Sequence, residues 1–255
     1  MSQAIASPSP FSTWFACHKP IPDARLRLFC FPYAGGAAAV FRRWSEGLPR
    51  DVEVCPVQFP GRGSRLMEPP FTALAPLVKA LAEAIVPKLD KPFALFGHSL
   101  GALVCFELAR ELRRHGFPPS HLFVSAGRAP HLPRQGTPIY DLEEKAFLKE
   151  LRRLNGTPEE LLSNPELMEI VLPILRADFS IYETYAYSTE APLDCPITSF
   201  GGLQDRRVSQ PDLLAWRGET CGTFSLQLFN GDHFFLNTSL PSLLRAISNE
   251  LHRDF

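Results

Sequence analysis

Short apolar runs alternate along the chain with segments in which apolar residues recur every three or four positions. The apolar runs have the length and composition of strands, and they cover residues 26–31, 52–57, 93–97, 121–126, 197–201 and 224–229. Helical periodicity occurs at residues 41–47, 74–86, 100–114 and 242–251. Because strands that alternate with helices pair in parallel through helical crossovers, the pattern predicts an α/β fold with a mostly parallel central sheet flanked by helices.

One interval departs from this alternation. Between residues 127 and 196 the pattern predicts helices at 142–154, 158–162 and 165–185 but no strand. Ligands of open α/β sheets bind beyond the carboxyl ends of the strands. We therefore expect a helical lid insertion over about 128–195 that walls a pocket, with simple packing on the core as the alternative. We further expect a flexible lead at residues 1–13 and a single domain at 14–255.

The composition excludes several classes of protein. Apolar residues make up 45% and charged residues 21% of the 255 positions, and the formal charge is −1, so nothing favours nucleic acid or an anionic membrane as a partner. No apolar stretch reaches the roughly 18 residues of a membrane span. The first residues also lack the pattern of a secretory signal. The six cysteines include no C-x-x-C pair, which favours a reducing, cytoplasmic setting without disulfides or a zinc site.

The strand at 93–97 runs directly into Gly97-His98-Ser99-Leu100-Gly101 and the helix at 100–114. In a G-x-S-x-G turn between a strand and a helix, the serine is held in strained geometry with its hydroxyl exposed. The two glycines let neighbouring backbone pass close on both sides. Ser99 is therefore the candidate nucleophile. An ordinary turn built from small residues is the alternative, and the partners of the serine must decide between the two.

A nucleophilic serine needs a histidine base, which in turn needs an orienting carboxylate. On this architecture the chain order is serine, acid, histidine. His233 lies directly after the strand at 224–229, and Asp205 lies in the loop after the strand at 197–201. Both positions belong to the carboxyl edge of a parallel sheet, where Ser99 also lies. We expect Ser99, Asp205 and His233 to form a catalytic triad.

The other candidates fit these roles less well. Five histidines are expected on the surface or pointing away from the site: His98, His115, His121, His131 and His252. Four acids that follow the serine are expected in structural positions, in the lid, before a strand, at a helix cap and in a turn: Asp178, Asp194, Asp212 and Asp232. Asp205 and His233 remain the best placed pair.

Acyl transfer through a serine also requires an oxyanion hole, formed by the N–H after the nucleophile and an N–H from the loop after the first strand. Leu100 supplies the first donor. The loop Phe31-Pro-Tyr-Ala-Gly-Gly36 supplies the second, and Ala34 is the best placed residue in it. A tight turn without a catalytic role is the alternative for these glycines.

Five motifs in this order resemble the type II thioesterases, which are stand-alone α/β-hydrolases that serve polyketide, nonribosomal peptide and fatty acid synthases. The resemblance runs from about Trp14 to the C-terminus. The residues that carry it are Phe29-Cys-Phe-Pro-Tyr-Ala-Gly-Gly36, Phe59-Pro-Gly-Arg-Gly-Ser-Arg65, Gly97-His-Ser-Leu-Gly101, Gly201-Gly-Leu-Gln-Asp205 and Gly231-Asp-His-Phe-Phe235.

The resemblance implies hydrolysis of acyl groups from the phosphopantetheine arm of acyl or peptidyl carrier proteins. Such enzymes edit misprimed or stalled chains, or release fatty acids, through an acyl-serine intermediate. No metal and no bound cofactor is implied, because the pantetheine belongs to the substrate. The resemblance assigns Ser99, Asp205 and His233 to the triad and Ala34 and Leu100 to the oxyanion hole.

Two questions stay open at the level of sequence. Arg62 and Arg65 recur in the resembling motif, and either contact with phosphate or carrier protein or a turn with solvated arginines fits them equally. The same fold also serves general carboxylesterases and lipases, and a non-catalytic module that docks on a synthase is a further alternative. Relative rates on thioesters and oxygen esters, and covalent labelling of Ser99, separate these functions.

Overall fold

The computed structural model describes residues 14–16 and 21–253. Within them, six strands form one sheet in the order β2-β1-β3-β4-β5-β6, and all five neighbouring pairs are parallel. The strands are β1 (Leu26–Phe31), β2 (Val52–Pro56), β3 (Phe93–His98), β4 (His121–Ser125), β5 (Ile197–Gly202) and β6 (Phe224–Phe229). The mostly parallel sheet expected from the sequence is confirmed, and each strand boundary lies within one residue of its predicted position.

Helices cover the sheet and form the insertion. They are α1 (Trp44–Gly47), α2 (Leu74–Ile85), α3 (Leu100–Arg114), α4 (Glu144–Leu154), α5 (Glu159–Leu162), α6 (Pro165–Glu183), α7 (Gln210–Leu214), α8 (Phe235–Thr238) and α9 (Leu240–Arg253). Short 3₁₀ helices occur at Ala38–Phe41, Gly63–Arg65, Val86–Lys88 and Ala215–Glu219. None of the helices formed by the described residues is long and apolar enough to cross a bilayer.

The sheet is buried on both faces, as a parallel sheet under crossover helices must be. Along β1, Phe29 and Phe31 join a cluster that contains the apolar faces of α2 and α3. The alternate residues Leu28 and Cys30 join a second cluster that contains apolar residues of α1 and α9. Side chains of successive strand residues point to opposite faces, so one apolar run serves two cores.

The insertion has a core of its own. Helices α4, α5 and α6 bury a third apolar cluster, made of Ile139, Phe147, Leu151, Leu162, Met168 and Leu175. Helix α6 begins with Asn164, whose side chain accepts a hydrogen bond from Leu167 N, followed by Pro165 in the first turn. The helical lid insertion is therefore confirmed. The boundaries of a single domain at 14–255 stay a prediction, and the predicted lead at 1–13 lies outside the described residues.

Strand register brings the loops of interest to one edge. Phe31 pairs with Gly97, His98 with Ser125, and Gly202 with Phe229, so these strands end at similar heights. The segments that follow them leave from the same edge because all the strands run in one direction. The register thus gathers the loop after β1, the serine turn, Asp205 and His233.

Some helices differ from the sequence prediction. The pattern at 41–47 divides into the 3₁₀ helix Ala38–Phe41 and α1, and the last helix is longer than expected, at Leu240–Arg253. The sequence pattern did not predict α8, and it indicated the start of α7 only through the helix cap expected at Asp212. Both helices have four or five residues and therefore offer little apolar periodicity.

The glycine before the serine turn provides a test of this packing. A Cβ on Gly97 would lie 2.1 Å from the carbonyl oxygen of Gly101, which is backbone and cannot rotate away. We expect Gly97→Ala to lower the free energy of unfolding by about 3 kcal/mol, measured by chemical denaturation. In Gly218→Ala the nearest atom would be His131 Cε1 at 3.7 Å, and this control should stay near the wild type. Equal stability of the two variants would contradict the prediction.

Candidate active site

Ser99 occupies the turn between β3 and α3 with φ 55° and ψ −114°, a conformation that costs a non-glycine residue free energy. Its N–H donates to the carbonyl oxygen of Ser125 at 2.7 Å. A Cβ on Gly101 would lie 2.2 Å from the carbonyl oxygen of Phe31, so the loop after β1 passes directly against the turn. Close packing of backbone on both sides thus holds the serine in its strained conformation.

His233 lies between the serine and a carboxylate. Its Nε2 is 3.0 Å from Ser99 Oγ, and its Nδ1 is 2.8 Å from Asp205 Oδ2. A carboxylate only accepts hydrogen bonds, so Nδ1 carries the proton and Nε2 is free to accept the hydroxyl proton of the serine. The structure therefore brings together the three residues that the sequence nominated, in an arrangement able to activate a hydroxyl.

Asp205 is held in its ionised form. Burial raises the pKa of this carboxyl, but the hydrogen bond from His233, the electrostatic attraction between the two groups and two backbone N–H bonds outweigh burial and lower the pKa. The two backbone donors are Arg207 N at 2.8 Å and Val208 N at 3.2 Å, both to Oδ1. With one oxygen fixed by the backbone, the other is left for the imidazole.

The loops that carry the acid and the histidine are joined to each other. A Cβ on Gly202 would lie 2.3 Å from the carbonyl oxygen of Asp232, so only glycine lets the two loops approach so closely. Gln204 Oε1 accepts a hydrogen bond from Gly231 N at 2.5 Å. Asp232 Oδ1 accepts one from Phe234 N at 2.8 Å, which shapes the turn as the sequence predicted. These contacts fix the separation of Asp205 and His233.

The two residues expected to supply oxyanion donors lie at the same cavity as the serine. Ala34 and Leu100 line the same cavity as Ser99 and His233. Within the described part of the chain, neither N–H has a hydrogen-bond acceptor, whereas the neighbouring Gly35 N–H is bonded to Asp178. Leu100 is also the first residue of α3, where the helix dipole favours negative charge. Both N–H groups are available to an oxyanion formed at the serine.

His98 contributes from beneath the site, in a role that the sequence did not reveal. Its Nε2 lies 2.9 Å from the carbonyl oxygen of His233, and its Nδ1 lies 2.9 Å from Ser125 Oγ. A carbonyl only accepts, so Nε2–H donates to His233 and the serine hydroxyl donates to Nδ1. The pKa of His98 is well below its usual value, mainly because the imidazole is buried and secondly because of its electrostatic interaction with His233. His98 is a neutral anchor for the backbone of His233.

A signal for this role was present in the sequence. His98 ends a strand whose other residues are all apolar, and a buried polar side chain at such a position needs hydrogen-bond partners. Its side chain does point away from the cavity, as expected. The expectation of a solvated His121 was wrong, because that side chain is buried and hydrogen-bonds to Thr198 Oγ1 at 2.9 Å.

The other candidates take structural positions. Asp212 forms a capping box with Ser209 at the start of α7 and pairs with Arg128 at 2.9 Å. His131 pairs with Glu219 at 2.5 Å, and His252 lies on the exposed side of α9. Asp212, His131 and His252 therefore have partners other than the serine hydroxyl.

A cavity of about 860 Å³ opens over Ser99 and extends under the lid. Its apolar wall includes Leu103 below and Leu175, Phe179 and Tyr182 from α6 above. The wall therefore suits an acyl chain, and the lid forms much of it.

One side of this cavity is basic. Arg128, Arg134 and Arg153 in its lining pair with acids, whereas Arg206 and Arg207 form no ion pair within residues 14–16 and 21–253. The Nη2 atom of Arg207 is buried and has no hydrogen-bond partner there. Burial lowers the pKa of Arg207 below its usual value. Among the described residues, Arg206 and Arg207 thus line the cavity without forming an ion pair, although the charge of the nearby Asp205 acts on Arg207.

Comparisons with known proteins agree over nearly the whole chain. A family model described as a thioesterase domain matches residues 26–251. The linear gramicidin dehydrogenase LgrE of Brevibacillus parabrevis is 47% identical, across 98% of this chain and 96% of that protein.

Solved structures give the same result. The RedJ thioesterase from the prodiginine biosynthetic pathway in Streptomyces coelicolor is 43% identical with a TM-score of 0.83, covering 89% of this chain and 86% of that one. YbtT, a type II thioesterase from the yersiniabactin NRPS/PKS biosynthetic pathway, is 31% identical with a TM-score of 0.84, covering 93% and 97%.

The titration of His98 predicts an acid-dependent loss of stability. In the unfolded chain this histidine titrates near its ordinary pKa of about 6.5, whereas in the folded chain it stays neutral to lower pH. The unfolded state then binds more protons, so stability falls as the pH drops below about 6.5, by up to about 1.4 kcal/mol per pH unit. Chemical denaturation between about pH 7.5 and pH 5.5 should show a smaller decline for His98→Gln than for the wild type.

The matched control is His252→Gln, which removes an exposed histidine and should leave the decline unchanged. His98→Ala should also lower kcat for thioester hydrolysis about tenfold, because the carbonyl oxygen of His233 loses the hydrogen bond from His98 Nε2–H. If the stability of the wild type, His98→Gln and His252→Gln declined identically with pH, the assignment of a buried neutral His98 would be overturned.

Proposed function

The chain belongs to the thioesterase family and is similar to type II thioesterases of nonribosomal peptide and polyketide pathways, and from that membership we propose how it works. It hydrolyses acyl thioesters, and we propose that Ser99, His233 and Asp205 carry the reaction. The observation that carries this proposal is the pair of distances at His233, 3.0 Å to Ser99 Oγ and 2.8 Å to Asp205 Oδ2.

In the acylation step, Ser99 Oγ attacks the thioester carbonyl while His233 Nε2 takes its proton. The carbonyl π bond opens onto oxygen, and the N–H groups of Ala34 and Leu100 receive the oxyanion. When the tetrahedral intermediate collapses, the C–S bond breaks and the protonated His233 gives its proton to the departing thiolate. An acyl ester on Ser99 and a free thiol remain.

In the deacylation step, His233 takes a proton from water, and the hydroxide attacks the acyl ester. The carboxylic acid leaves, and Ser99 recovers its proton from His233. Asp205 stays ionised and keeps Nδ1 protonated, so Nε2 can act as the base in both steps. Each oxyanion donor should contribute about 3 kcal/mol to transition-state stabilisation. This chemistry uses protein groups alone, so the proposed enzyme carries no metal and no cofactor.

The proposed substrates are acyl or peptidyl groups on the phosphopantetheine arm of a carrier protein. The cavity supports this, because an apolar wall under the lid suits the acyl chain and Arg206 and Arg207 suit an anionic group of the substrate. The proposed roles are editing of misprimed or stalled chains, or release of fatty acids, in the cytoplasm. Neither nucleic acid nor a membrane is a proposed partner, since the formal charge is −1.

A dehydrogenase activity, which the name of the relative LgrE suggests, finds no support in the loop after β1. Dinucleotide-binding folds cradle the pyrophosphate with a G-x-G-x-x-G turn at that position. Here the loop reads Phe31-Pro-Tyr-Ala-Gly-Gly36, and its Gly35 N–H is already bonded to Asp178. The loop instead leaves the Ala34 N–H free, which favours acyl transfer.

The nucleophile is tested by Ser99→Ala. We expect kcat on an acyl-carrier protein to fall at least a thousandfold, because the Ser99 hydroxyl is the group that His233 Nε2 meets among the described residues. Labelling by a fluorophosphonate should disappear as well. Ser163→Ala, which removes an exposed lid hydroxyl bonded to Glu159, is the control and should keep both. Labelling of the Ser99→Ala protein would reject the assignment.

The basic wall is tested by Arg206→Gln and Arg207→Gln. If these charges meet an anionic group of the carrier-bound substrate, KM for an acyl-phosphopantetheine substrate should rise about tenfold. KM for the same acyl group on N-acetylcysteamine, which has no phosphate, should change little. Arg217→Gln removes an exposed arginine outside the cavity and serves as the control. Equal changes on both substrates would contradict recognition of the phosphate.

A further inference from the structure

Arg62 belongs to the motif whose role the sequence left open, and it reaches the lid. It lies in the loop after β2, just before the 3₁₀ helix Gly63–Arg65. Its Nη1 and Nη2 donate to Asp178 Oδ2 and Oδ1 of α6 at 2.5 and 2.7 Å. Both side chains are buried, at 5% and 1% exposure. A two-point ion pair therefore joins the scaffold to the lid helix.

Arg62 and Asp178 also form hydrogen bonds with the loop after β1, which contains the proposed oxyanion donor Ala34. Asp178 Oδ2 accepts the Gly35 N–H at 2.7 Å, and Arg62 Nη1 donates to the carbonyl oxygen of Gly36 at 3.2 Å. Gly35 has φ +76°, and a Cβ there would lie 2.6 Å from Leu175 Cδ2, so α6 packs directly on this glycine. The peptide unit that joins Ala34 to Gly35 is thus held by Asp178 of the lid, and the carbonyl of Gly36 is held by Arg62.

We propose that Arg62 and Asp178 are positioning residues that orient the Ala34 N–H, so that the oxyanion hole is complete only while α6 is seated on the loop. This inference depends on the proposed role of Ala34. Seating of the lid over the acyl chain and competence for acylation then become one event, and a substrate that holds α6 away from Gly35 is hydrolysed slowly.

The choice of an ion pair supports this role over simple adhesion. Removing two charges from water is costly, and apolar residues of similar volume usually hold two buried segments together as well. What the fork of a guanidinium on a carboxylate adds is a fixed distance and a fixed angle. The orientation of one peptide unit needs both, because a displacement of about 1 Å at a reacting group can slow catalysis about a hundredfold.

The second arginine of the motif has a different role and provides a control. Arg65 donates to Glu68 Oε1 and Oε2 at 2.8 and 2.5 Å, three residues along the chain. Its guanidinium also stacks on Trp14, with 3.9 Å from Cζ to the ring centroid. Arg65 is as buried as Arg62, but its hydrogen bonds and ion pair among the described residues go to Glu68 and Gln58 and not to the lid or the loop after β1.

The test compares Asp178→Asn and Arg62→Lys with Arg65→Lys. Each protein is first shown to be folded by its circular dichroism, and the acylation rate is then measured in single turnover on an acyl-carrier protein. We expect the first two variants to acylate between about 10- and 100-fold more slowly, with KM changed little, because a misplaced donor affects the transition state and not substrate binding. Arg65→Lys should lose thermal stability while its acylation rate stays near wild type.

Two further measurements separate positioning from stability. Fluorophosphonate inactivation also passes through an oxyanion at Ser99, so its rate should fall in parallel with acylation in Asp178→Asn and Arg62→Lys. The double variant should be no slower than the slower single variant, since the pair acts as one unit. Wild-type acylation rates in both variants, or a change confined to KM, would overturn the inference. Failure of the triad is distinguishable, because Ser99→Ala would then remain active.

Discussion

The whole site depends on backbone that approaches too closely for any side chain to fit between. Ser99 keeps its strained conformation because Gly97 and Gly101 have no side chains where the turn, α3 and the loop after β1 meet. The same close packing places the loop that contains Ala34 beside the turn. Strain that would relax in an isolated peptide persists because surrounding packing over-determines it. The proposed nucleophile and the proposed oxyanion donors therefore depend on one steric arrangement.

The polar groups around this turn form one hydrogen-bond network in which each donor and acceptor can be assigned. Asp205 is anionic, His233 carries its proton on Nδ1, and His98 is neutral with its proton on Nε2. Ser125 links the set to the nucleophile, because its carbonyl accepts the Ser99 N–H while its hydroxyl meets His98. In a low-dielectric interior such networks are rigid when fully satisfied. His233 is held by two contacts, one from its ring to Asp205 and one from its backbone carbonyl to His98.

The sequence predicted those parts of the site that leave a local pattern in the chain. The strands, the turn around Ser99 and the loops of Asp205 and His233 have periodicity or glycine spacing that predicts them. The contacts of Arg62 with Asp178 could not be predicted, because 116 positions separate them and only the placement of the lid brings them together. The polarity of His98 was visible, but its partner depended on how the loop after β6 returns across the sheet.

The lid buries its own apolar cluster, separate from the two clusters on the sheet. Side chains of that cluster and its surroundings, such as Leu175, also line the cavity. Exchanges among lid residues that do not touch the loop after β1 can therefore reshape the cavity, while Ser99, Asp205 and His233 stay where the sheet fixes them. Substrate preference can therefore change at those positions without any change in the groups that perform the chemistry.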